Sequence, residues 1–278
     1  MAELLASGAA RKMSTELAEQ VQYTAILGEH RVPLNQYLGS RLRLDFDGVI
    51  HCVHCDRKTN KSFNQGYCYP CFRRLAQCDS CIMSPEKCHF AAGTCREPEW
   101  GEANCNVDHY VYLANTSGMK VGITRHSQIP TRWMDQGASQ AKPIFRVSSR
   151  LQSGLVETTF KAHVADKTNW RAMLKGAAEP ADLEAHRARL MKECAEAIAA
   201  LQDTYGLQAI TELAGEDETH ISYPVLEYPE KVSSFNLDKT PTAGGVLQGI
   251  KGQYLIFDTG VINLRKYGGY QLSLTLED

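Results

Sequence analysis

Hydrophobic and polar positions alternate early in the chain, where Leu42, Leu44 and Phe46 are separated by Arg43 and Asp45. A period of two places apolar side chains on one face of a strand, so 42–46 reads as half-buried β-structure, with 21–27 as a second strand and Gly39 and Gly48 as punctuation. The same signature returns near the end: Tyr270, Leu272, Leu274 and Leu276 alternate with polar neighbours, after apolar runs at 246–250, 254–257 and 261–264. Between these regions, 110–114 and 120–124 form two strand candidates around Asn115-Thr116-Ser117-Gly118, whose residues suit a hairpin turn. Helices are predicted to open at 130–135 and to span 155–164, with a third strand at 144–147. The clearest helix is 182–205, because Leu183, Leu190, Met191, Cys194, Ile198, Leu201 and Tyr205 recur at helical spacing and Gly206 can end it. Cys194 lies on that apolar stripe and reads as a core cysteine.

This pattern predicts an α+β chain. About 30 N-terminal residues are too few to bury a core alone, and the C-terminal strands need partners for their edges. Residues 1–50 and 207–278 are therefore expected to build one β-rich domain. A cysteine-rich metal-binding region (51–108), a small antiparallel sheet with helices (109–176) and the long helix (177–206) lie between them.

Composition is ordinary for a globular chain, with 278 residues, 43% hydrophobic and 22% charged. It excludes disordered and collagen-like classes. No apolar run reaches the roughly 20 residues of a membrane span, and Arg11 and Lys12 follow the short N-terminal apolar run, unlike a secretory signal. A cytoplasmic protein without a membrane partner is expected. The net charge of -2 hides a strong asymmetry: residues 51–176 carry 17 Lys and Arg against 10 Asp and Glu, while both flanks are net acidic. A polyanion is thus the expected partner of the middle segment, through Arg125, Arg132, Arg146, Arg150, Lys161, Lys167 and Arg171.

The same segment holds nine of the ten cysteines. In a reducing compartment paired cysteines are ligands more often than disulfides. Cys52-Val-His-Cys55 and Cys68-Tyr-Pro-Cys71 present two turns with two thiolates each, the arrangement that closes a tetrahedral zinc site. Cys78 and Cys81, followed by Cys88 and Cys95, offer a second site, in which His89 competes with Cys88. Zinc is preferred to an iron–sulfur cluster because neither run has a ferredoxin spacing. Phe63, Tyr67, Tyr69, Phe72, Trp100, Trp133 and Trp170 interleave with the bases, as a reader of single strands would need, although most should be core.

Several stretches carry a resemblance: SFNQGYCYPC (62–71), CREP (95–98), YVYLA (110–114), KVGITR (120–125) and QIPTRW (128–133). They resemble a bacterial, cysteine-rich family catalogued as domain of unknown function 2797, which names no activity. Within them, Tyr110-Val-Tyr112, Lys120-Val-Gly122, Arg132 and Glu157 look like the core of the GIY-YIG nucleases. That resemblance implies a three-stranded antiparallel sheet with helices and cleavage of phosphodiesters with a bound divalent ion. Carried over, Tyr112 matches the tyrosine of the first strand, Gly122 the glycine of the second, Arg132 the helix arginine and Glu157 the magnesium-binding carboxylate. His109 stands where the first glycine is expected, and Lys120 occupies the place of the second tyrosine.

The resulting expectation is a zinc-containing protein that binds DNA or RNA through a GIY-YIG-like core. An active magnesium-dependent endonuclease, with Tyr112, Lys120, Arg132 and Glu157 as its catalytic set, is one alternative. The other makes the zinc ribbons a docking scaffold for a protein or ribosome partner.

Overall fold

A computed structural model describes residues 2–278. The chain opens with β1 (Glu3–Ala9), β2 (Ser14–Glu16), β3 (Gln22–Leu27), β4 (His30–Pro33), β5 (Arg41–His51) and β6 (Lys58–Thr59). Besides β6, the cysteine-rich region contributes α1 (Tyr69–Arg74), three short 3-10 turns and α2 (Pro98–Cys105). The middle continues with β7 (His109–Asn115), β8 (Met119–Arg125), α3 (Thr131–Asp135), β9 (Gln140–Val147), α4 (Arg150–Lys161) and α5 (Trp170–Met173). Then come α6 (Leu183–Glu193), α7 (Ala195–Tyr205), β10 (Ile210–Glu212), β11 (Thr219–His220), β12 (Thr242–Lys251), β13 (Tyr254–Phe257), β14 (Gly260–Asn263) and β15 (Tyr270–Glu277).

The architecture is mixed α+β, with antiparallel sheets and few helices. The largest sheet has the order β1-β15-β5-β12-β13-β14, with β6 added to β5, and so joins both ends of the chain. Strand β5 lies at its centre, with Leu44 opposite Leu274 on one side and Ala243 on the other. The alternation along β5 follows from this position: Leu42 and Leu44 enter the core and Arg43 and Asp45 face outward. A three-stranded sheet, β2-β3-β4, adds Tyr23, Ala25 and Leu27 to the same core. Strand β1 is absent from the periodicity expectations because its only fully buried side chain is Ala6.

A second sheet, β10-β9-β7-β8 with β11 also on β9, carries the middle of the chain. Strand β7 is apolar on both faces, since Val111 and Leu113 pack under α4, α6 and α7 while Tyr112 and Ala114 face the large core. A strand covered on both faces reads as a continuous apolar run, which explains YVYLA. The helix expected over 182–205 is two helices that meet at Cys194, whose backbone (φ -106°, ψ 6°) leaves the helical region. Its thiol is buried and faces the Thr159 carbonyl at 3.8 Å, so the apolar stripe continues across the break. No helix among the described residues is long and apolar enough to cross a membrane.

Candidate functional site

The hairpin β7-β8 brings Tyr112 opposite Gly122. A Cβ at position 122 would stand 2.7 Å from Cζ and Oη of Tyr112, so the ring lies across β8 only because residue 122 is glycine. The ring also packs edge-on against Trp133 of α3 at a centroid distance of 5.9 Å. The phenol donates to Gln136 Oε1 at 2.8 Å, and Lys120 Nζ donates to the same oxygen at 2.7 Å and to Thr168 Oγ1 at 2.9 Å. Helix α3 is fixed by Asp135, which accepts from Lys12 Nζ at 2.6 Å and from Gln253 Nε2 at 2.8 Å. The arginine on that helix, Arg132, is thereby held from both ends of the chain.

These groups open onto a pocket of about 370 Å³, into which α4 brings Glu157 and Lys161. Tyr112, Lys120, Arg132 and Glu157, the four residues singled out from sequence, all line it. So do Arg125, Arg150, Lys161 and Lys167, whereas Arg146 and Arg171 do not. Arg146 faces Asp108 at 3.9 Å, and Arg171 lies over the Trp170 ring at 4.3 Å. Arg150 is largely spent on structure, donating to the Ile82 carbonyl at 2.7 Å. Gln136, Thr168 and Asp166 contact this set and were not among the residues expected from sequence. They sit in caps and loops without periodicity, so no local signal marks them.

Six basic side chains against Glu157 and Asp166 make the lining cationic. Burial and the nearby Arg132 guanidinium bring Lys120 down to about 7, which places a lysine near its titration point at neutral pH. Burial pushes the Tyr112 phenol above its ordinary range, with Arg132 working against it. Glu157 is likewise raised by burial, against the attraction of Lys161. The Lys161 ammonium lies between two carboxylates, 3.2 Å from Glu157 and 3.4 Å from Asp166. A cation between paired acids is the electrostatic arrangement that a hard divalent ion would also satisfy. His109 is outside this pocket and fully buried, with Nδ1 at 2.7 Å from the Val107 carbonyl and Nε2 without a partner.

The first cysteine group is a metal centre in geometry. Cys52 and Cys55 come from the turn after β5, Cys68 caps α1 and Cys71 lies within it; all four sulfurs are within 4.8 Å of one another. The 3.8 Å between Cys55 and Cys68 sulfurs equals the edge of a tetrahedron with metal–sulfur bonds of about 2.3 Å. Although burial opposes ionisation, backbone N–H groups of Cys68, Cys55 and His54 bring Cys52 down to about 6. Burial and the neighbouring thiols push Cys71 up to about 12. Four thiolates this close cannot all ionise without a cation among them, and a metal ion such as zinc fits the set.

The remaining cysteines divide differently from their order in sequence. Cys78 packs with Cys52, Cys68, Cys71 and Leu75, beside the first group. Cys81, Cys88 and Cys105 pack together, and Cys95 lines the same small cavity with Phe90 and Trp100. Cys105 was not in the expected set; as the ninth cysteine of the basic segment, it could have been weighed. Asp79, Cys81 and His89 also bring ligand atoms within 4.8 Å of one another.

No curated protein and no solved structure matches the chain. The sequence does match one family, described as protein of unknown function (DUF2797), over residues 39–272. That span includes the cysteine groups, the pocket and most of the sheet that joins the two ends, so this chain belongs to the DUF2797 family.

Proposed function

We propose that the protein is a zinc-containing nucleic-acid-binding protein whose residues 109–176 form a GIY-YIG-like core. The observation that carries this reading is the convergence of Tyr112, Lys120, Arg132 and Glu157, from two strands and two helices, on one cationic pocket that also receives Arg125, Lys161 and Lys167. Guanidinium and ammonium groups neutralise phosphates and position a backbone. The order β7, β8, α3, β9, α4 supports the likeness to the nuclease core, as does a glycine opposite the first-strand tyrosine.

A second reading, phosphodiester cleavage, draws on Glu157 and Asp166. Glu157 would hold a divalent cation such as magnesium, with Asp166 near enough to share it, and Lys161 now marks that position with its charge. When bound, such an ion supplies Lewis-acid stabilisation of charge developing on the phosphate. Arg132 would brace the phosphate, Tyr112 would orient the attacking water, and Lys120, held in place by its bond to Gln136, would give or take a proton at Nζ.

The test is binding of labelled single- and double-stranded DNA and RNA at low salt, then incubation with Mg²⁺ or Mn²⁺. Binding that weakens steeply with salt supports the first reading. Metal-dependent nicking by the wild type and none by Glu157→Gln, with binding retained, supports the second. A protein that binds neither polymer overturns both and leaves the cysteine region as a docking scaffold for a protein or ribosome partner.

A further inference from the structure

We propose that Cys81, Cys88, Cys95 and Cys105 hold a second zinc ion, and that this metal clamps one wall of the cationic pocket against α4. The inference rests on the metal-binding reading of the cysteines and is independent of whether the pocket binds or cleaves nucleic acid.

The four thiols come from four separate places: the 3-10 turn Ser80–Ile82, the residue after the turn Pro85–Lys87, the loop before α2, and the last residue of α2. They share a cavity of about 10 Å³, room for roughly one small atom, whose lining also includes Phe90, Trp100, Asp79 and His89. Soft sulfur ligands select zinc over hard cations. A glycine within α2 has its explanation here, because a Cβ at Gly101 would stand 3.0 Å from Cys95 Sγ and 2.5 Å from the Phe90 ring. Helix α2 thus gives up helix propensity at that position to let Cys95 and Phe90 close on the cavity.

Asp79 and His89 bring ligand atoms within 4.8 Å of Cys81 and are tied into a polar network at the edge of the cavity. Asp79 accepts from Arg96 Nε at 2.7 Å and from the Ser80 backbone N–H at 2.6 Å, His89 Nδ1 lies 2.8 Å from Thr94 Oγ1, and His89 Nε2 lies 3.5 Å from Asp79 Oδ2. They form a polar rim to a thiolate centre. Cys78 sits on the far side, with the first cysteine group. Residues 76–97 hold three 3-10 turns but neither an α-helix nor a strand, so a metal cross-link would add substantially to what fixes their path.

Fixing that path matters for the pocket. Ile82, Met83 and Pro85 line it, and the turn behind them is seated on α4. A Cβ at Gly154 would meet Glu86 N at 2.2 Å and the Pro85 carbonyl carbon at 2.4 Å, so helix and turn touch backbone to backbone. Arg150, one turn earlier, donates to the Ile82 carbonyl. The metal would therefore hold the turn, and the turn would hold the helix that carries Glu157. Residues 82–85 would then be positioning residues for the pocket.

The experiment is elemental analysis of the full chain and of single variants. Wild type should carry about two zinc ions, Cys105→Ser about one, and Cys78→Ser and His89→Ala about two. Two zinc ions in Cys105→Ser, or one in Cys78→Ser or His89→Ala, overturns the ligand set. Because Cys105→Ser can fail to fold, Cys105→His is examined with Co²⁺ in place of zinc. Its d–d bands should shift as one sulfur is exchanged for nitrogen, while those of Cys78→Ser stay as in the wild type; unchanged bands in Cys105→His overturn the assignment. Hydrogen exchange tests the clamp: amides of 150–161 should exchange at least tenfold faster in Cys105→Ser, which has lost the second zinc, than in wild type and in Cys105→His, with 52–71 unaffected. Equal rates in 150–161 would remove the clamp. A protein with two zinc ions and no affinity for nucleic acid would leave this assignment standing while the functional reading fell.

Discussion

Substituting Gly122 by alanine probes the geometry on which the pocket depends. The added Cβ would lie 2.7 Å from Cζ and Oη of Tyr112 and 3.1 Å from Cε2, all well inside van der Waals contact. Tyr112 is fully buried and its ring is packed edge-on against Trp133, so it can yield only toward the pocket it lines. Overpacking of this kind costs about 1–3 kcal/mol. A ring pushed aside also weakens the 2.8 Å bond to Gln136, and a buried hydroxyl that loses its partner costs about another 1–3 kcal/mol. The expected destabilisation is thus on the order of 2–5 kcal/mol, partly relieved by backbone shifts. Gly176→Ala is the control, because a Cβ there meets nothing within 4 Å and its φ is not positive. Denaturant unfolding followed by circular dichroism measures both variants. A Gly122→Ala midpoint within error of wild type and of Gly176→Ala would refute the claim that glycine is required under the tyrosine ring.

Arg132→Ala should weaken binding of labelled oligonucleotides and lower the slope of log K against log salt by about one, as expected for one lost phosphate contact; an unchanged slope speaks against that contact. Cys71→Ser should release the zinc of the first centre and unfold α1, whereas Cys194→Ala should leave metal content at the wild-type value, both read by elemental analysis. Burial holds His109 at about 4, below the usual 6.5, and protonation would create a second buried donor at Nε2 with no acceptor. The unfolded chain therefore takes up a proton between pH 6.5 and 4 that the folded chain refuses, so this contribution is present above pH 6.5 and is lost as pH falls, by about 3 kcal/mol. Unfolding midpoints across pH 4.5–7 should fall less steeply in His109→Asn than in wild type.

The sequence by itself determined the local structure wherever one face of an element is buried. Alternation marked 42–46 and 270–276, and the structure has strands Arg41–His51 and Tyr270–Glu277 there. The paired Cys-x-x-Cys turns at 52–55 and 68–71 marked a four-thiol centre, because each pair is held by its own turn and the spacing is legible without knowledge of packing. Such signals are local: period two, period 3.6 and turn spacing all report on neighbours a few residues apart. Only tertiary structure decided which elements meet. It took Cys78 back to the first centre and brought Cys105 to Cys81 and Cys88, against their order in sequence. It set Gln136, Thr168 and Asp166 around Lys120 and Glu157, and turned Arg146 and Arg171 away. It also divided the helical stripe at Cys194, where two helices keep one apolar face against α4. The reason is common to all of these. Convergence of side chains from distant segments depends on how whole faces pack, and local spacing carries no record of that.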